Sequence, residues 1–465
     1  MNGLEITPFI TSLPKVELHV HIEGTLTPAL RWKLAHRNNI PLRYPTYEAL
    51  LNSYKITYNH RRELNGDNGA PTFLETYYEG CQVLCTEDDF YELAIAYFQK
   101  AKDVNVRYVE PFFDTQAHTK RGIPVEAILN GFLRAQHDGA KQLGVKSNWI
   151  FCFLRDHPVK EGLEALRSAL PWARTKDGKG KGLFHAVGLA SNEYDRPPGL
   201  FEEGFLLAKE VGLHVTMHCD VDQKDVVEHM HEGIFDVCAG AGADRIDHGL
   251  NATDAPELMA ALKEKNIGLT LCPHAYHRRQ ATEVLFPKIR KLWDEGVRFC
   301  INSDDPTYMH DVWIDGNMMK VYEYCGFTKS EMGKLVRNAV EMSWADEITK
   351  TEILDELERV LGVEEKLISS NEGRINPPPL FPLLSFLIPH QVSCLPHHYH
   401  LPGDRLNADG ASDIVLVIVL LMAFLATASH SNTFPSKFEK GCCTIAPLLR
   451  SYIILRSPVM STGAS

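Results

Sequence analysis

Eight short apolar runs, separated by stretches of helical periodicity, constrain the fold of this chain more than any other feature. The runs are Val16–His21, Val106–Phe113, Trp149–Leu154, Ala186–Leu189, His214–His218, Arg245–His248, Gly268–Cys272 and Arg298–Asn302. Each has the length and composition of a strand. Between most of them apolar residues recur three and four apart, as in Phe90–Phe98 and Ala255–Lys265, which predicts amphipathic helices. Strands alternating with helices build a parallel sheet. Eight such units closed into a ring make an α/β TIM (β/α)8 barrel, usually of ~250 residues and here enlarged by insertions. The largest insertion, 23–105, contains the turn-rich run Asn65-Gly66-Asp67-Asn68-Gly69-Ala70-Pro71. It leaves strand one at the face where barrel active sites lie, so it is expected to cover the site.

A second region reads differently. Residues 1–363 carry the barrel pattern. Residues 364–465 open on Asn376-Pro377-Pro378-Pro379 and hold 7 basic and 7 acidic residues, so the net charge of −12 lies wholly in the first region. The expectation is a barrel domain at 1–363 and an unstructured C-terminal tail. Ile414–Ala428 is a run of fifteen uncharged residues, short of the ~18–20 that span a bilayer as a helix. A membrane partner is therefore not expected. His397-His398-Tyr399-His400 reads as incidental clustering in the same tail. The net negative charge argues against nucleic acid as a partner. Eleven cysteines without framework spacing, and no secretory signal in Met1–Pro14, point to reduced thiols in a cytoplasmic or nuclear protein.

The chemistry sits where strands end. Strand one closes on Glu17-Leu18-His19-Val20-His21, and histidines two apart on a strand share a face. Strand five ends in Met217-His218-Cys219-Asp220, strand six in Asp247-His248-Gly249, and strand eight in Asn302-Ser303-Asp304-Asp305-Pro306. Buried His and Asp cost several kcal/mol unless paired or metal-bound. Three His and one Asp around one ion, with water completing the shell, fit a catalytic zinc, Zn2+, whose bound water has its pKa lowered to about 7. His229 and His231, two apart on a helical stretch, read instead as part of a solvated face. Gly-rich phosphate-binding fingerprints are absent.

Leu13–Thr25, Arg245–Gly249 and Asn302–Pro306, in that order, resemble the adenosine and adenine deaminases of the amidohydrolase superfamily. Gln116-Ala117-His118-Thr119-Lys120-Arg121-Gly122 resembles the fungal and bacterial adenine deaminase branch. The resemblance covers about residues 10–362. It implies one zinc per chain on His19, His21, His218 and Asp304. His248 would orient or activate the water, and Asp305 would hydrogen-bond a purine near N7. Gly188 lies where the family contacts the base through backbone. The implied reaction is hydrolytic deamination of adenine, an N6-substituted adenine or adenosine: water attacks the ring carbon bearing the amino group and ammonia leaves.

Three departures stand against the family pattern. The Glu that protonates the ring in the family is Val221 here, leaving Asp220 and Asp222 as candidate proton donors. The family's Cys-Pro-x-Ser-Asn becomes Cys272-Pro273-His274-Ala275-Tyr276. Ala190 stands where the family tends to have Asp. Two other readings follow. A decayed relative would keep zinc and purine binding without chemistry. Another amidohydrolase with a two-metal site would need a bridging Lys at the end of strand four, where this chain has Ser191-Asn192-Glu193.

Overall fold

The computed structural model describes the backbone of residues 4–54, 73–221 and 223–372, with side chains to Gly362. Eight parallel strands run in chain order: β1 Lys15–His21, β2 Val106–Phe113, β3 Trp149–Leu154, β4 Phe184–Ala190, β5 His214–Cys219, β6 Arg245–His248, β7 Gly268–Leu271 and β8 Phe299–Ile301. All eight expected runs are strands, three with the expected ends and the others shifted by one or two residues. A two-residue strand, Lys146–Ser147, adds to β2 outside the ring path. The ring is completed where the chain leaves β8. The Asp304 amide donates to the His19 carbonyl at 3.1 Å, and the His21 amide donates to the Asp304 carbonyl at 3.0 Å. The architecture is the expected barrel.

Strand composition explains the packing. β3 (Trp-Ile-Phe-Cys-Phe-Leu) is buried throughout, as parallel strands covered on both faces must be. Helices such as Glu87–Asp103 and Val125–Asp138 form the outer layer. Thr86 starts the first of these with a capping box: its hydroxyl accepts from the Asp89 amide and Asp89 accepts from the Thr86 amide.

Register does the positioning. β5 and β6 pair with His218 opposite Asp247 and Cys219 opposite His248; β6 and β7 pair with Asp247 opposite Thr270. One row across three strands therefore reads His218, Asp247, Thr270. The insertion after β1 carries helices Pro28–Arg37, Tyr47–Ser53 and Phe73–Cys81 ahead of Glu87–Asp103. The turn-rich segment Asn65–Pro71 lies outside the described residues, as do the apolar run Ile414–Ala428 and His397–His400. The last helix, Glu347–Glu372, continues through position 363, so the regular structure passes the boundary expected there. Among the described residues no helix is long and apolar enough to cross a membrane.

Candidate active site

The ends of β1, β5 and β8 bring three imidazoles and a carboxylate together. His19 and His21 share the inner face of β1. Nε2 of His21 lies 3.0 Å from Nε2 of His218. Oδ1 of Asp304 lies 3.4 Å from Nε2 of His19 and 3.6 Å from Nε2 of His21. Nε2 of His19 is buried without a hydrogen-bond partner. Imidazole nitrogens turned on one another or stranded in the interior are costly without a shared cation. Three nitrogens and one carboxylate oxygen suit zinc rather than the oxygen shells of magnesium or calcium. The residues fit the metal that the sequence implies.

A buried row behind the imidazoles sets their orientation. Asp247 accepts from the Thr216 hydroxyl at 2.8 Å and from the Thr270 hydroxyl at 2.9 Å, and lies 3.5 Å from Nδ1 of His218. Thr270 spends its proton on Asp247, so at its 2.8 Å contact with His19 it accepts from Nδ1. That leaves the Nε2 lone pair of His19 facing the site. Burial opposes the charge on Asp247, but His218 and His19 hold its carboxyl well below the usual range. On the other side Glu17 fixes the turn after β8, accepting from the Ser303 amide at 3.1 Å and from its hydroxyl. The Leu18 amide donates to Asn302 at 2.7 Å. His248 and Asp304 both have left-handed backbone, with φ of 63° and 69°, a strained conformation typical of functional positions.

Asp304 and Asp305 share the turn but not the charge. Burial opposes ionisation of Asp304, yet the imidazoles of His19, His248 and His21 around it hold its carboxyl well below the usual range. Burial and the charge of Asp304 push Asp305 well up. Oδ1 of Asp305 has no hydrogen-bond partner and the residue lines the cavity. Its packing needs Gly24, where a Cβ would meet this oxygen at 2.1 Å. His248 is held neutral, its pKa lowered to about 3 by burial, with Asp220 opposing the shift and His19 assisting it.

Several expected positions come out differently. Asp220 is gripped by Arg279 through two bonds of 2.7 and 2.9 Å, and its Oδ1 also accepts from the Val221 amide at 2.7 Å. Burial would raise its pKa, but Arg279 and then His248 reverse this and hold it low. A carboxylate so held accepts hydrogen bonds and is a poor proton donor, contrary to the role considered for it. Asp222 lies outside the described residues. Gly188 does not line the cavity. It sits deeper on β4, where a Cβ would meet Cys152 at 2.8 Å and Ile150 at 3.2 Å. Ala190 and Ser191, further along the same strand, line the cavity instead. His229 is buried rather than solvated, with Nδ1 3.7 Å from Glu193; only His231 is exposed.

The cavity holds about 310 Å³. His21, His218 and Asp304 line it, and helix Phe73–Cys81 of the insertion contributes Phe73, Leu74, Tyr77 and Tyr78. The insertion thus covers the site as expected. Tyr78 meets the Ser191 hydroxyl at 3.1 Å. Arg121 donates to Nδ1 of His118 at 3.0 Å, so His118 presents Nε2–H to Glu23, 3.2 Å away. The Gln116–Gly122 motif is therefore a brace between insertion and barrel. Sequence reasoning gave no role to Asp247, Thr270, Glu193 or Arg279. For Asp247 a signal existed: Arg245 and Asp247 alternate with apolar Ile246 on one short strand, so both face inward.

Comparison with known sequences decides the family. The adenosine deaminase family model matches residues 14–360. The chain belongs to that family. It is 37% identical over 358 residues to an uncharacterized deaminase of Schizosaccharomyces pombe, covering 76% of this chain and 97% of that one. It is 37% identical over 334 residues to the adenine deaminase of Stutzerimonas stutzeri, covering 72% and 98%. The crystal structure of adenine deaminase from Arthrobacter aurescens superposes with a TM-score of 0.66 at 32% identity, covering 75% of this chain and 99% of that one. The N6-methyl-AMP deaminase of Arabidopsis thaliana, at 16% identity and a TM-score of 0.58 over 76% and 98% of the two chains, shares the fold.

Proposed function

We propose that this protein is a hydrolytic deaminase of an adenine-type base that works with one zinc ion held by His19, His21, His218 and Asp304. The observation that carries the reading is the convergence of three Nε2 atoms and one carboxylate oxygen beside a cavity that is sized for a small ring and lined by His21, His218 and Asp304. Zinc there supplies the Lewis acidity that makes water a nucleophile at neutral pH. Asp247 and Thr270 hold the imidazoles in the tautomers that ligation requires. His248, neutral and beside the ligands, orients the attacking water. Asp305 keeps a proton at its carboxyl and presents it to a ring nitrogen of the base.

A free base, unsubstituted or N6-substituted, is favoured over adenosine. The Gln116–Gly122 motif and the adenine deaminases among the relatives support this. The eight described cysteines that are free thiols support a reducing compartment, cytoplasmic or nuclear. The net charge supports a small-molecule substrate and no nucleic-acid partner.

A second reading has one observation in its favour: among the described residues, Val221 and the Arg279-bound Asp220 leave the segment just after β5 without a neutral carboxylic acid. That reading is a purine binder without chemistry. Ammonia or amine release by the zinc-loaded full chain with adenine, adenosine, AMP and N6-substituted adenines separates the two. Turnover of a free base is expected. Tight purine binding without release would establish the binder.

A further inference from the structure

The geometry points to Tyr276 as the positioning residue that fixes His248 in one tautomer, with its proton on Nε2. The inference rests on His248 being a site residue, as proposed above, but not on the reaction. Tyr276 stands where the family pattern has Asn, in the helix Pro273–His277 just after β7. Its side chain is fully buried. Its hydroxyl touches two groups. The Cys272 amide lies 2.9 Å away, and an amide can only donate. Nδ1 of His248 also lies 2.9 Å away.

The proton count then settles the tautomer. The phenol oxygen accepts from Cys272, so the phenol O–H needs an acceptor of its own. Among the described residues, Nδ1 of His248 is the only acceptor within hydrogen-bonding distance of it. A neutral imidazole that accepts at Nδ1 carries its hydrogen at Nε2. That Nε2 lies 3.9 Å from Oδ1 of Asp220, too far for a direct hydrogen bond. The N–H is therefore left for the reacting groups in the cavity. His248 enters the cycle as a hydrogen-bond donor to the nucleophilic oxygen, not as the base that strips it. Asn at this position has a shorter side chain and could not make the same pair of contacts from the same backbone.

The test is the 15N spectrum of the full chain labelled at histidine, with His248 assigned by loss of its signals in His248→Asn. The expected result is a pyridine-type Nδ1 and a protonated Nε2 at pH 7. In Tyr276→Phe the phenyl ring keeps the packing but the tautomer preference is lost. Turnover should fall roughly 10–100-fold with metal content unchanged, the usual cost of removing a group that orients a site imidazole. A wild-type His248 protonated at Nδ1, or at both nitrogens, overturns the proposal without any variant. So does a Tyr276→Phe protein whose His248 spectrum is unchanged; a loss of activity there would be structural only. Failure of the deaminase reading would appear separately, as absent turnover beside the expected spectrum.

Discussion

The two sides of the end of β5 are built on opposite logics. Upstream, His218 stands in a row with Asp247 and Thr270, and every partner is set by strand register. Downstream, Asp220 leaves the strand and is held by Arg279, which follows the helix after β7. The first arrangement shapes a donor set that wants a cation. The second neutralises a carboxylate within the protein itself. A single residue, Cys219, thus separates a group kept ready for a ligand from one already satisfied. The difference teaches that an acidic residue in a cavity is not thereby a proton donor. Who grips it decides.

The comparison can be broken at each side. The largest effect is expected from Arg279→Met, which strands Asp220 in a mostly buried place. Losing one partner of a buried pair costs about 3–5 kcal/mol, and Asp220→Asn in the same chain should restore most of it. Denaturant unfolding measures both. An unchanged stability in Arg279→Met would mean that the pair holds nothing.

Next comes Asp247→Asn. It weakens the hydrogen bonds from Thr216 and Thr270 and the support of His218, so zinc affinity should fall roughly 10–100-fold. Chelator competition reads the change, and wild-type affinity would remove the row from the account.

The smallest effect is at Asp114, which lines the cavity from the end of β2. Its pKa is raised to about 7 by burial and by Glu23. The folded state therefore prefers the protonated acid. The stability this gives is complete below the ordinary carboxylate range and is lost as pH rises towards about 7. Asp114→Asn cannot ionise, so it should gain on the wild type by about 1 kcal/mol or more between pH 5 and pH 8. Thermal unfolding at the two pH values checks the sign; no relative gain at pH 8 would contradict it.

The same contrast explains what was legible in the sequence. His19, His21, His218 and Asp304 could be read because each lies at or just beyond the C-terminal end of a strand, and a strand's two-residue period and the barrel's common active face turn sequence position into direction. Asp305 follows from Asp304 by adjacency. Arg279 could not be read as the partner of Asp220, because 59 residues and a turn of helix separate them and no periodicity links two loops. Gly188 is on the expected strand but not on the cavity lining, because that strand ends two residues further on, at Ala190. The burial of His229 was hidden as well. It depends on Glu193 and Arg155, which arrive from the ends of other strands.

The central claim is a single zinc held by four named residues and required for release of ammonia. It is tested most directly by measuring zinc per chain and ammonia production together, on the purified wild type and on Asp304→Ala. The account predicts one zinc and adenine turnover in the wild type, with both lost in the variant. A variant that keeps one tightly bound zinc, or that still releases ammonia at the wild-type rate, would contradict it.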